Sequence, residues 1–578
     1  MKKFIFMCSL LLCFMVGACG RENKEENVGN PTVIPTASIV PTDVPSPTPA
    51  EAPVELTVYS QLSGFWGEQQ GWFAKVVLDK FNVKLNIVPD LPDREEKELE
   101  KLGDIIIFGG VSDYKEAAEK GWLLDWEANS LLEEHGSYIQ EHMGKVLEHN
   151  RSLTPEIGKV FGIGHGAAAS WKEAETFLYY WEIRWDLYEQ LSCPEVKNLE
   201  ELTAVFEEMK KLSPKDDNGE ETYALSIWSE WDEAMIFYVR AMASAYYGYD
   251  EFHLGLYDSA NGSFYGALQE DGPYLDMIRY FNQLYRKGLL DPDSRTQKYE
   301  DMCEKLQSSG VLFSLFDYSG SMAYNMEPQL LENCYMAPLI PEEATPLACG
   351  MNIYGGNRVW TIGANTQYPE LCMELINWLC TPEGVMVSQY GPQGVIWDYD
   401  AEGNTYFTEF GKTCMEERTT QMTGEYAGSC YGDGFPQMNN VTWSLNAVNP
   451  DSNGETYNSQ SWKSNVPAAS CAVEQAWREH TGVLTPLEYV KSKNYVVIPA
   501  IYYRAAEKSA SLTEVWEKVS DCIVSGSWEA VYAESEEECE RLILKMQTEA
   551  EELGYEQCME WCRQEAQKRY ELEEAVRR

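Results

Sequence analysis

No run of 18 apolar residues follows the first residues of this chain, so nothing beyond them is long enough to cross a bilayer as a helix. Basic residues are scarce: 45 Lys and Arg against 93 Asp and Glu leave a formal charge of −48. Such a field repels phosphate backbones and anionic lipid heads, which excludes nucleic acid and direct contact with a membrane surface. A bulky anionic ligand is disfavoured too, unless a local basic pocket overrides the field. The 16 cysteines include no paired CxxC spacing, which argues against a zinc ribbon or a disulfide framework. Most read as small buried apolar residues. Cys558 and Cys562 stand four apart, but two thiols make no metal site. His135, His142 and His149 recur every seven residues, which on a helix sets neighbours about 10 Å apart, too far to share a metal ion. G-x-S-x-G, H-E-x-x-H, a Walker loop and a G-x-G-x-x-G after a strand are all missing, so no motif announces catalysis.

What is present begins with residues 1–19. Lys2 and Lys3 precede an apolar stretch from Phe4 to Met15, and Val16-Gly17-Ala18 leads into Cys19. The pattern resembles a bacterial lipoprotein signal, cleaved before Cys19 with the thiol then lipidated. The mature chain is expected to be anchored by that lipid on the outer face of the cell membrane. From Gly20 to Pro53 there are seven prolines and no aromatic residue, a composition that cannot offset its ordering entropy by burial. Its 34 residues reach about 100 Å when fully extended at roughly 3.1 Å each.

The residues after this linker exceed what one core normally holds, so at least two lobes are expected. Val54 to Ser60 alternates as a strand, Glu68 to Lys80 has helical spacing, and Lys84 to Val88 and Asp104 to Phe108 are further strands. This order implies a parallel sheet covered by helices, whose ligands sit beyond the carboxyl ends of the strands. Farther on, Tyr223–Trp228, Val311–Phe316 and Tyr335–Ile340 read as strands, and 351–362 as a strand ahead of a helix from Pro369 to Leu379. The charge-laced tail 536–578 reads as helical.

Three stretches carry a family resemblance: Val54–Ser60 with its loop and helix, Gly310–Gly320 (GVLFSLFDYSG), and Gly350–Gly384 with its ending Asn377-Trp378-Leu379 and Thr381-Pro382-Glu383-Gly384. Together they resemble the extracellular solute-binding lipoproteins of carbohydrate ABC transporters, the maltose-binding-like class. The likeness covers about 54–410. It implies a two-lobed α/β fold of the type II periplasmic-binding-protein kind, with a hinge, a cleft and a helix-rich second lobe. The expected division is 1–18 signal, 19–53 linker, 54–165 plus 311–362 lobe I, and 166–310 plus 363–578 lobe II. The resemblance further implies a monomer with no catalytic machinery and no cofactor, which closes on a small carbohydrate and delivers it to permease subunits.

Sugar recognition needs flat rings against C–H faces and planar polar groups across paired hydroxyls. Residues of these kinds at expected strand ends are Trp66, Asp113, Trp228, Asp232, Asp317, Tyr318, Tyr354, Asn357 and Arg358. Trp397, Trp443 and Trp462 lie in polar stretches, and Trp443 joins the candidates. For any single aromatic, core packing is the commoner role. Asp317 and Arg358 also suit a hinge ion pair. His165, in the Gly-rich FGIGHGAAAS, suits a binding, hinge or plain turn role. Asp398, Asp400, Glu402 and Glu409 imitate an EF-hand calcium loop, but Trp397 to Phe407 alternates about a turn as an ordinary hairpin does, so no metal is assigned. A sugar-binding protein is the leading reading. A surface glycoside hydrolase, a binder of peptides or other polar solutes, and a structural surface protein remain the alternatives.

Overall fold

The computed structural model describes residues 52–90 and 103–578. The signal, Cys19 and nearly all of the linker lie outside the described residues. No described helix is long and apolar enough to cross a membrane.

Along the chain come β1 (Val54–Ser60), the short β2 (Gly67–Glu68), β3 (Val83–Pro89), β4 (Ile105–Phe108) and β5 (Gly162–Gly164). β6 (Ala174–Phe177) leads to β7 (Glu182–Arg184), then β8 (Asp250–Phe252), β9 (Gly255–Asp258), β10 (Ser263–Gly266), β11 (Phe313–Ser314) and β12 (Met336–Pro338). β13 (Leu347–Gly350) leads back to β14 (Val359–Ile362), followed by β15 (Trp397–Tyr399), β16 (Thr405–Phe407) and, much later, β17 (Val496–Ile498).

The first sheet has the order β2-β3-β1-β4-β14-β5. β1 runs parallel to β3 and β4, whereas β14, arriving from the far side of the molecule, is antiparallel to β4 and β5. Alternation in β1 buries Leu56 and Val58 completely, and the helix Gly71–Phe81 lays Trp72, Phe73 and Val77 on the same core. That helix ends where Asn82 turns left-handed at φ 53° and bonds back to Leu78 O. β5 approaches β14 so closely that a Cβ on Gly162 would stand 2.1 Å from Trp360 O. Gly162→Ala is therefore expected to destabilise the protein by about 1–3 kcal/mol in chemical denaturation, and an unchanged midpoint would refute this account of the contact.

Two large cores divide the chain, with smaller clusters beside them. One gathers Leu56, Trp72, Ile105, Trp360, Ile376, Trp397 and Trp462. The other gathers Trp181, Phe206, Ile227, Phe281, Phe313, Trp477 and Ile523. The chain passes between them three times: from Ala168 to Phe177, from Ala348 to Met351, and from Trp462 to Val473.

This division differs from the expected one in two places. Residues 311–348 belong to the second lobe, because Phe313 pairs with Ile183 and Ala337 with the same strand from its other side. Residues 363–462 belong to the first, because the helix Pro369–Cys380 covers its sheet with Cys372, Met373 and Ile376. The stretch 351–362 is a turn followed by β14 rather than one strand, and 223–228 makes only isolated bridges to Val311 and Leu290. The tail forms two helices, Glu536–Leu553 and Tyr555–Arg577, parted at Gly554 with φ 103°.

Between the lobes lies a three-stranded sheet, β17-β13-β6. β13 is antiparallel to β6 and parallel to β17. The second crossing runs through β13 at Cys349 and Gly350, which makes this sheet the hinge.

Thirteen cysteines are free among the described residues and six of them are buried, in keeping with a role as small apolar residues.

Candidate functional site

A cavity of about 440 Å³ lies between the lobes. The second lobe supplies Tyr180, Glu182, Asp317 and Ser321, together with the start and last turn of the helix Pro486–Lys491. The first lobe supplies the loop 453–463. Among the described residues, no hydrogen bond or ion pair joins that loop to the facing wall. The polar bonds between lobes sit instead at the hinge: Met351 N–H to Glu173 O, Val448 N–H to Glu173 Oε2, and Ser444 Oγ to Glu175.

Glu182 is the floor of this cavity and its side chain is fully buried. Strand β7 delivers it, with Trp181 and Ile183 packed into the core on the other face. Ser321 donates its backbone N–H to one carboxyl oxygen and its hydroxyl, at 2.6 Å, to the other. Gly320 makes that approach possible, since a Cβ there would stand 2.3 Å from Glu182 Oε2. Among the described residues no cation pairs with this carboxyl, and burial pushes its pKa up to about 8 despite the Ser321 bonds, with Asp317 adding to the rise. Asp317 lies at the carboxyl end of the β11 stretch, accepts a 2.7 Å bond from Tyr318 N–H, and is likewise raised by burial.

Beside Asp317 stands a group of half-buried rings. Trp231 stacks on Tyr299 at 5.2 Å and 26°, and Tyr318 stacks on Phe316 at 5.0 Å. Tyr299 ties the group together by donating its hydroxyl to Tyr318 O.

The expected site residues scatter more widely than the sequence suggests. Asp317 lines the cavity and Tyr318 follows it directly. Trp66 is 63% exposed on the loop after β1. Asp113 accepts a bond from Gln61 Nε2, and Gln61 Oε1 accepts Gly109 N–H, so the two post-strand loops are tied together as expected of one rim. Tyr354, Asn357 and Arg358 share the turn between β13 and β14. His165 holds that turn: its Nδ1 accepts Arg358 N–H at 3.1 Å, its carbonyl accepts Gly356 N–H, and burial depresses its pKa. The ion pair of Asp317 with Arg358 does not form.

Three candidates are structural. Trp228 is 1% exposed, enclosed by Trp231, Tyr238 and Tyr299. Asp232 spends both oxygens inside the lobe, on Phe237 N–H and Trp528 Nε1, and burial lifts it to about 6. Trp443 is 5% exposed and donates to Cys380 O. All three fell to the pull of packing on large rings and on buried acids near helix starts.

The calcium-like segment folds as the hairpin β15–β16. Asp400 closes its turn by accepting Glu402 and Asn404 N–H, and Glu409 opens the helix Glu409–Glu416. No group of three or more potential ligands able to hold a metal occurs among the described residues.

Sequence reasoning missed Tyr180, Glu182, Ser321 and the loop 453–463. Glu182 alone left a signal, an acid set between the apolar Trp181 and Ile183.

No family model matches the chain, and no curated protein does. Among solved structures it is similar to an extracellular solute-binding protein from Bifidobacterium longum subsp. infantis, with 12% identity, TM-score 0.48, and 90% of this chain and 99% of that one covered. It is also similar to alginate-binding protein AlgQ2, with 14% identity, TM-score 0.40 and the same coverage. The S. pneumoniae ABC-transporter substrate binding protein FusA, in complex with kestose, gives 14% identity and TM-score 0.42 over 89% of this chain and 99% of that one. At such identities the ligands of those proteins remain theirs.

Proposed function

We propose that this chain captures a sugar or short oligosaccharide in the interlobe cleft by closing its lobes, and passes it to an ABC permease from a lipid-anchored position outside the cell. One observation carries the reading: a cavity within the roughly 300–1,000 Å³ range of small-ligand pockets is lined from both sides by separately cored lobes that a narrow sheet joins. Contacts made from both walls favour the closed arrangement, which is how a ligand shifts such an equilibrium. The half-buried rings of Trp231, Tyr299 and Tyr318 beside Asp317 supply faces for pyranose C–H groups, and Glu182, Asp317, Gln460 and Ser461 supply partners for hydroxyls.

A peptide or other charged solute is a second reading. Lys463 and Lys491 reach the same cavity from opposite lobes, and among the described residues neither has an ion-pair partner.

A thermal-shift screen against mono- and oligosaccharides, short peptides and chromogenic glycosides separates these. A ligand at a hundred times its dissociation constant adds about 2.7 kcal/mol. The expected result is a rise confined to a few related glycans, abolished by Trp231→Ala. A rise with peptides alone would displace sugar, and turnover of a glycoside would make the chain a hydrolase.

A further inference from the structure

Residues 499–509 run without regular structure from the hinge strand β17 to the helix Ala510–Val531. In this extended stretch Tyr502 and Tyr503 project to opposite sides, as neighbours on extended backbone do. Tyr503 faces the second lobe, where its hydroxyl donates to the buried Glu565 at 2.9 Å, and Ala506 N–H bonds to the same oxygen. Tyr502 faces the first lobe. Its ring lies flat on His149, 4.6 Å between centres and 3° between planes. Its hydroxyl donates to Gly355 O and accepts from Asn352 Nδ2 at 3.3 Å.

Those partners belong to the turn that carries Tyr354, Asn357 and Arg358. Asn352 already braces it, bonding Gly355 O at 2.9 Å and Tyr354 N–H at 2.9 Å. His165 grips its other side. The turn is therefore held between His165 of the first lobe and a tyrosine whose immediate neighbour is fixed to the second.

We propose that Tyr502 is a positioning residue for ligand capture, a catch beside the hinge that sets the turn 352–358 and holds the lobes at the separation seen here. The inference rests on the cleft being the binding site. Its logic is energetic. The cavity walls face each other with no polar bond between them, whereas the Tyr502 contacts are made in this arrangement, so they favour it over the closed one. Closure then works against the catch, and apparent affinity falls with the fraction of molecules free to close.

Small-angle scattering of the ligand-free protein and titration with the glycan found by the screen test this together. Tyr502→Ala is expected to shrink the radius of gyration and tighten binding roughly fivefold, the effect of losing about one hydrogen bond and a ring contact from the open state. Tyr502→Phe keeps the stack on His149 and should fall between. Scattering and affinity both equal to wild type would overturn the proposal, as would weaker binding with an unchanged scattering curve. If Y502A does not fold, Y502F decides on the same readouts. If no glycan binds, the cleft reading fails while the scattering difference still judges the catch.

Discussion

Replacing Glu573 by Ala is expected to cost about 3–5 kcal/mol of stability, the usual consequence of removing one partner from a buried ion network. Glu573 is fully buried on the helix Tyr555–Arg577. It accepts from Arg569 Nε at 2.8 Å, Arg577, Tyr257 OH at 3.1 Å and Ser259 Oγ. Arg569 reaches on to Asp250 at 2.6 Å, so one carboxylate ties the last helix to the hairpin strands β8 and β9. Deleting it leaves two guanidinium groups short of a counter-charge and two hydroxyls without an acceptor in a largely buried site. Glu573→Gln keeps the shape and should lose less. Guanidinium denaturation measures both, and a loss below about 1 kcal/mol for the alanine variant would mean that water repairs the network. The helix should also become open to proteolysis, because its rivet to the second lobe is gone.

Glu182→Gln is expected to flatten the pH dependence of stability between pH 5 and 8. In the folded protein this carboxyl holds its proton up to about pH 8, against 4.5 when unperturbed, because burial without a cation disfavours the charge. The proton is bound more tightly in the folded state. Its contribution is therefore complete below about pH 4.5 and is lost as pH rises through 8. The difference amounts to something on the order of 3–5 kcal/mol. Glutamine cannot titrate, so the variant should resemble the wild type at pH 5 and exceed it by a growing margin as the pH rises to 8. Parallel denaturation curves at the two pH values decide the matter: equal drops in both proteins would assign the titration elsewhere. Ligand affinity should carry the same signature, since the acid lies on the cavity floor.

Much of the fold is legible in the sequence because short-range chemistry writes it. The alternation of Val54–Ser60 dictates a strand, with Leu56 and Val58 on the core face. Asn198 precedes the helix Leu199–Leu212 and caps it by accepting Glu201 N–H, and Thr381 does the same for Gly384 N–H in Pro382–Tyr390. Turn chemistry decides 397–407 in favour of a hairpin, because Asp400 serves its own backbone before it can serve a cation. In each case the deciding partner lies within a few residues.

The sequence by itself determined the elements, two cores' worth of apolar periodicity and an acidic chain rich in rings. Only the tertiary structure decided which lobe each segment joins and which residues meet. β14 reaches its place between β4 and β5 from more than 190 residues beyond β5, roughly the separation Arg358 keeps from His165. The cavity sets Glu182 against a loop some 270 residues later, and the catch sets Tyr502 on a histidine some 350 residues earlier. Aromatic residues look alike at every strand end, and Trp228 and Trp443 were drawn inward by the area they bury, while Trp231 stayed half-buried against Tyr299. Local propensity fixes what a segment becomes; the competition for buried area among distant segments fixes where it stands, and that competition is settled only when the whole chain packs.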